Sequence, residues 1–340
     1  MAFTTAQNAR AVLLPAFGGV QLSDATKRLL DNGGVAILLG ENRDEYVARA
    51  VSAERKAAET KETFLRVTEE AKRRAGSVLT AIDQELGGIC RLHDLVTQFP
   101  EKSKIADCSI DEIENVSRTV AKEAKALGIN VFLAPILDVL TGPNPWLSGR
   151  TFSADPSVVA RLSAAYIRGV QTGGIAATGK HFPGFTAISG DPAIDASAVN
   201  DLSLSEVEKI QEPFHAAIAA GVEMIMVGPA IVSAYDKEKP ALRSKTIVDR
   251  LKGEFGFRGT VMADDLDSKA TMLNDSVPTV AIDALNAGCD FLLLADIDDQ
   301  LDVVAKAIEE AAKSGVISEE KLAASADRVR HLASKYPVNV

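Results

Sequence analysis

Eight short apolar runs, each followed by a helix-forming segment, constrain this chain more than any other feature. The runs occupy residues 11–15, 35–39, 77–82, 130–134, 175–179, 222–227, 260–263 and 290–294. Val35-Ala36-Ile37-Leu38-Leu39 is apolar at every position, so both faces of such a strand must be covered. That is the pattern of a parallel sheet with helices outside it. The intervening segments 22–32, 43–74, 110–127, 156–173, 204–220, 245–254 and 276–288 read as helices, the second broken near Thr60. Two more, 298–313 and 318–335, close the chain. Strand–helix alternation calls for an α/β fold. Eight repeats point to a closed (β/α)8 TIM-type barrel. An open doubly wound sheet is the alternative, and it expects a Gly-rich dinucleotide turn after the first strand. Phe17-Gly18-Gly19 does not supply one. No stretch rich in Pro, Gly or Ser divides the sequence, so a single barrel domain is expected over residues 1–340.

Bulk chemistry excludes several function classes. The net charge is −10 with 37 basic and 47 acidic residues, whereas nucleic-acid binders carry a basic face. The triplet Lys72-Arg73-Arg74 follows Glu69-Glu70 and reads as a solvated mixed-charge helix face. Cys90, Cys108 and Cys289 are too few and too scattered for a disulfide framework or a zinc spacing. The start, Met1-Ala2-Phe3-Thr4-Thr5, lacks a signal-peptide pattern. No apolar run approaches the roughly 18 residues of a membrane span. A soluble cytoplasmic protein is expected, without a nucleic-acid or membrane partner.

The apolar runs end on polar residues: Asp83 and Glu85, Asp138, Lys180 and His181, Asp264 and Asp265, and Asp296. The sharpest case is Thr260-Val261-Met262-Ala263-Asp264-Asp265-Leu266-Asp267, where a β-rich run meets three aspartates within four residues. Any one of these could be a helix cap. Together, at the C-terminal ends of barrel strands, they would converge on one mouth, where barrels carry their sites. The longest irregular stretches, 135–154, 182–202 and 228–244, also follow strand ends. Carboxylates, a lysine and Arg91 and Arg150 at one mouth suit a polyhydroxylated substrate, since carboxylates accept from hydroxyls and the cations donate to them. Retaining glycoside hydrolysis needs a carboxylate nucleophile and a second group as acid/base. Metal-assisted hydrolysis is the rival. His93, His181, His215 and His331 have no ligand spacing, so neither metal nor cofactor is expected.

Several segments, in order, resemble glycoside hydrolase family 3, in particular its single-domain bacterial β-N-acetylhexosaminidases. Lys180-His181-Phe182-Pro183-Gly184 matches the family's K-H-F-P-G. Asp83-Gln84-Glu85-Leu86-Gly87-Gly88-Ile89-Cys90-Arg91 resembles D-x-E-G-G-x-V-x-R, and Ala134-Pro135-Ile136-Leu137-Asp138-Val139 resembles A-P-V-x-D-V. Arg150-Thr151-Phe152-Ser153-Ala154-Asp155-Pro156 resembles R-S-F-x-x-D-P. Pro240-Ala241-Leu242-Arg243-Ser244 and Phe255-Gly256-Phe257-Arg258-Gly259 resemble the segments before the nucleophile strand. The resemblance implies a retaining β-glycosidase with Asp264 as nucleophile and Asp265 in support. It implies that Asp83, Arg91, Arg150, Lys180 and His181 hold the sugar, and that Asp138 supports them.

The sequence departs from that pattern in one loop. The hexosaminidases continue H-G-x-x-x-x-D-S-H, whose Asp-His pair serves as acid/base. Here no histidine lies between His181 and His215, and Asp191-Pro192-Ala193 stands where D-S-H is expected. Four readings stay open. Asp191 or Asp195 acts directly as the acid. A residue of another loop or subunit supplies it. The leaving group needs little protonation. Or the chain is a sugar-binding or regulatory relative with weak catalysis. Leu86 in place of glycine, and Cys90 beside Arg91, point to an altered sugar pocket. A different sugar is therefore also open; transfer to an acceptor other than water, such as phosphate, is a separate alternative.

Overall fold

The computed structural model describes residues 2–40, 45, 48, 51–295 and 297–338. Eight parallel strands close into a barrel: β1 Leu13–Gly18, β2 Ala36–Gly40, β3 Leu79–Ile82, β4 Val131–Phe132, β5 Ala176–Phe182, β6 Met224–Val227, β7 Thr260–Ala263 and β8 Phe291–Leu294. Each pairs with its sequence neighbours, and β8 closes on β1 through Leu13↔Leu292. Every residue of β2, β3, β5, β6, β7 and β8 is buried. Their continuous apolarity is thus the consequence of packing on two faces, interior layers on one and helices on the other.

The expected alternation holds, with local differences. Residues Thr5–Ala11 form a helix that its weak apolar pattern hides. Thr4 starts it in a capping box with Gln7, and Asn8, Ala9 and Ala11 are its buried face. The first strand consequently starts later than expected and runs to Gly18. The segment read as one helix over 204–220 is two helices, Leu204–Lys209 and Glu212–Ala219, the second admitting Pro213 in its first turn where no N–H is needed. The break near Thr60 is a helix start, with the Thr60 side chain accepting from Thr63 N–H ahead of Lys61–Ala75. Asp296 lies outside the described residues, as does part of the segment 43–50.

Two of the long irregular stretches are not structureless. Val199–Asn200, Ile231–Val232 and Asp236–Pro240 form a three-stranded sheet beside the barrel mouth's loops. Asn200 Nδ2 donates to the Gly184 carbonyl, so this sheet is tied to the segment leaving β5. Among the described residues no helix is long and apolar enough to cross a membrane.

Candidate active site

The site is assembled from the C-terminal ends of β3, β5 and β7 and from the loop after β4. Asp83 follows β3 directly and Asp264 follows β7 directly. Lys180 and His181 are adjacent, and in a regular strand they would face opposite sides. The register against β6 steps between Lys180 and Phe182, making His181 an extra residue. Such a bulge re-aims a side chain. Here Lys180 reaches Asp83 and Glu85 while His181 reaches Asp138 and Asp264.

The cationic half of the site is a buried four-membered network. Lys180 Nζ contacts Asp83 Oδ1 and lies 3.0 Å from Glu85 Oε1. Arg150 grips Glu85 with both arms, Nη2 to Oε1 at 2.5 Å and Nε to Oε2 at 3.2 Å. Ile89 N–H adds a 2.8 Å bond to Oε2. Gly88 is needed here, because a Cβ at that position would lie 2.1 Å from Glu85 Oε2. Burying a lone carboxylate costs several kcal/mol. Burial alone would push Glu85 up, yet the charges of Arg150 and Lys180 outweigh it and hold the carboxyl at about 2. Burial likewise opposes the Lys180 charge, but Asp83 and Glu85 keep the ammonium above its ordinary value.

The other half is a line of three groups. Asp138 is fully buried. Its Oδ1 accepts from Phe185 N–H at 2.8 Å, and its Oδ2 accepts from His181 N–H at 3.0 Å. Oδ2 also lies 2.7 Å from His181 Nδ1. Burial raises the Asp138 carboxyl to about 7, against the pull of the Phe185 and His181 N–H groups; as the anion it favours the tautomer with the proton on Nδ1, which leaves Nε2 as an acceptor. Burial, with Arg150 and Lys180 nearby, pushes the imidazole well below its ordinary range, so it stays neutral. His181 Nε2 is 3.8 Å from Asp264 Oδ2. Trp146, in the loop after β4, covers the imidazole with ring centroids 4.3 Å apart.

Asp264 is held through one oxygen only. Its Oδ1 accepts from Asp265 N–H at 2.8 Å, while buried Oδ2 has no hydrogen-bond partner among the described residues. Burial pushes this carboxyl up to about 6, against the pull of the Asp265 N–H, Lys180 and Arg150. A half-desolvated carboxylate oxygen beside two cations and a neutral imidazole is equipped to attack an electrophilic carbon.

Asp191 is buried in the loop after β5, where its Oδ1 accepts from Ala193 N–H at 3.0 Å and its own N–H donates to Asp195 Oδ2 at 2.8 Å. Asp195 is exposed and serves that turn. The loop is joined to the segment after Asp264, since Ala270 N–H donates to the Pro192 carbonyl at 3.2 Å. Arg91 is turned elsewhere. Fully buried, it pairs with Glu59 at 2.5 and 2.7 Å, and its Nε donates to the Gly40 carbonyl at 3.1 Å. Arg55 shares Glu59 and Gly40 with it, so these arginines fasten the end of β2. Burial, with the Glu85 charge beside it, pushes the Cys90 thiol up to about 12, away from the thiolate form. Glu59 and Trp146 went unread in the sequence. Glu59 lies 32 residues from its partner, and Trp146 lies in a stretch without periodicity.

The barrel mouth thus presents a desolvated aspartate beside a buried network of paired charges, an arrangement compatible with glycoside cleavage. The sequence matches the glycosyl hydrolase family 3 N terminal domain over residues 11–332, and the chain belongs to that family. It is 33% identical over 237 residues to a beta-hexosaminidase of Nitrosomonas eutropha, covering 67% of this chain and 68% of that one. Identity is also 33% over 252 residues to a beta-hexosaminidase of Stenotrophomonas maltophilia, covering 70% and 74%. The family 3 beta-N-acetylglucosaminidase of Paenibacillus sp. str. FPU-7 superposes with a TM-score of 0.89 at 27% identity. All of this chain is covered in that match and 64% of the other, so the chain spans about two thirds of that enzyme's length.

Proposed function

We propose that the chain is a retaining β-glycosidase of β-linked N-acetylhexosaminides, with Asp264 as nucleophile and Asp191 as acid/base. The observation that carries this is the Asp264 carboxylate, fixed at Oδ1 and, among the described residues, without a hydrogen-bond partner at Oδ2. Oδ2 attacks the anomeric carbon as the glycosidic bond breaks, and the departing oxygen takes its proton from Asp191. Water then attacks the glycosyl–Asp264 ester, giving its proton back to Asp191. Asp83, Lys180 and Arg150 hold sugar hydroxyls from the cationic side, and neutral His181 accepts one through Nε2. Arg91 contributes at one remove, by fastening the end of β2 through Glu59. The sugar class follows the beta-hexosaminidases of Nitrosomonas and Stenotrophomonas and the beta-N-acetylglucosaminidase of Paenibacillus that this chain resembles.

The test is a panel of 4-nitrophenyl β-glycosides that includes N-acetylglucosaminide, N-acetylgalactosaminide, glucoside and xyloside. Fastest turnover of an N-acetylhexosaminide supports the sugar class, and preference for glucoside or xyloside overturns it. A second reading, a sugar-binding relative with weak catalysis, draws on the absence of histidine between His181 and His215. It expects calorimetric binding of the monosaccharide with the whole panel intact.

Two further outcomes are expected. Because Asp264 attacks as its anion and burial holds it at about 6, log kcat/KM should fall with unit slope below about pH 6. A limb near pH 4 instead would mean that the nucleophile is another, more solvated carboxylate. Asp191→Asn should cost about 10²–10⁴-fold on an alkyl glycoside, which needs protonation to leave. On a dinitrophenyl glycoside, which does not, the cost should be far smaller. Equal losses on both would remove Asp191 from the acid role.

A further inference from the structure

Arg243 lies outside the site just described, and it is a buried cation with five donor bonds. It ends the turn Ala241–Arg243 that follows the small sheet. Nε donates to Asp283 Oδ2 at 3.2 Å, and Nη2 to Asp275 Oδ2 at 2.5 Å and Asp283 Oδ2 at 2.8 Å. Nη1 donates to the Thr271 and Met272 carbonyls, each at 3.2 Å. All five N–H groups of the guanidinium are thereby used.

Those two carbonyls end the helix Lys269–Met272. A single turn is too short to persist unaided, and its last carbonyls have no partner within the helix. Asp275 N–H donates to the Met272 carbonyl at 2.8 Å, and Arg243 adds a second bond there and the bond to the Thr271 carbonyl. The same short helix follows the Asp264 segment, and its Ala270 N–H seats the Pro192 carbonyl next to Asp191. The turn that carries Arg243 is itself pinned to the barrel, because Leu242 N–H donates to the Gly228 carbonyl, one residue beyond β6. A continuous series of hydrogen bonds thus runs from the β6 end through Arg243 and the 269–272 turn to the Asp191 loop.

We propose that Arg243 is a positioning residue that sets the Asp191 loop against Asp264, so that nucleophile and acid stand at their working separation. The inference rests on the assignment of those two aspartates. It is specific to arginine, since a lysine ammonium has three donors and cannot bond two carbonyls and two carboxylates in one plane.

The test is the dependence of kcat/KM on leaving-group pKa across aryl and alkyl β-glycosides, for wild type, Arg243→Gln, Arg243→Lys, Asp283→Asn and Asp191→Asn. Arg243→Gln should lose about tenfold or more on poor leaving groups, within the range that acid catalysis contributes, and much less on dinitrophenyl glycosides. Arg243→Lys should recover part of that loss. Asp283→Asn, which leaves the two carbonyl bonds in place, should move the slope the same way by less and guards against failure of the glutamine variant to fold. A steeper slope in Asp191→Asn with an unchanged slope in the Arg243 variants overturns the positioning role and leaves the acid assignment standing. A steeper slope in the Arg243 variants alone supports positioning and moves the acid to another residue of the loop. Uniform loss on all substrates, tracking thermal stability, reduces Arg243 to a structural arginine and overturns the proposal.

Discussion

Asp264→Asn should abolish turnover of every glycoside and leave the barrel at least as stable as wild type at pH 7. The amide keeps the shape and can still accept from Asp265 N–H, but it cannot form the glycosyl ester. A residual rate at least about 10⁴-fold lower is expected, which corresponds to roughly 5–6 kcal/mol of barrier. Asp264→Gly with added azide should recover cleavage of an activated substrate and give the α-glycosyl azide, because azide enters from the face the carboxylate leaves open. The stability arm follows from the sign of the shift. Burial raises the folded-state pKa of Asp264 to about 6, above the unfolded value near 3.9. The favourable contribution of the protonated form is complete below about pH 3.9 and is lost as pH rises through about 6. Wild type therefore carries the unfavourable anion at pH 7, and the variant does not. The gap in unfolding free energy should open in the variant's favour between about pH 4 and 7, by on the order of 2–3 kcal/mol. A variant that retains activity, or that unfolds well below wild type at pH 7, would show that Asp264 serves the fold rather than the chemistry.

The residues legible in the sequence are those whose position follows from strand geometry. A buried strand that stops on a charged side chain marks a barrel mouth, so Asp83, Lys180, His181 and Asp264 could be named from pattern alone. The eight-fold alternation made the barrel legible for the same reason. What pattern does not carry is direction and pairing. Arg91 has the right residue type in a recognisable segment, yet its guanidinium turns to Glu59, 32 residues upstream, and away from the four named residues. Glu85 and Arg150 are 65 residues apart, and nothing local announces that they share a fully buried bidentate pair. Trp146 sits in a loop whose conformation is fixed by tertiary bonds, among them Asn144 Nδ2 to the Phe185 carbonyl. The side-by-side use of Lys180 and His181 depends on a bulge that the alternation of a regular strand would forbid. The helix Thr5–Ala11 was hidden because a strong cap, not a strong apolar stripe, starts it.

Arg150→Met should destabilise the protein by about 3–5 kcal/mol, the usual consequence of stranding one partner of a buried ion pair. Glu85 would keep only Lys180, which it shares with Asp83, and the Ile89 N–H. Two fixed points make the expectation specific. First, a partner change should relieve it. Glu85→Gln with Arg150→Met removes both charges, so the double variant should be more stable than Arg150→Met alone by roughly 1–3 kcal/mol, the range of coupling between contacting groups. Second, pH should modulate it. The folded-state pKa of Glu85 is held at about 2, below the unfolded value near 4.3, so its stabilising contribution exists above about pH 4.3 and vanishes as pH falls through about 2. Without Arg150 that contribution is gone, and the stability difference from wild type should narrow as pH falls from about 4.3 to about 2. Urea unfolding at pH 7 and through that range reads both effects. Activity should fall with the network, because Lys180 is then drawn toward the uncompensated Glu85 and away from Asp83, and the loss should appear in KM as well as kcat. If Arg150→Met matched wild type in urea at pH 7, the Glu85–Arg150 pair would not be the buried anchor of the site. Lys180 alone would then be what keeps Glu85 ionised.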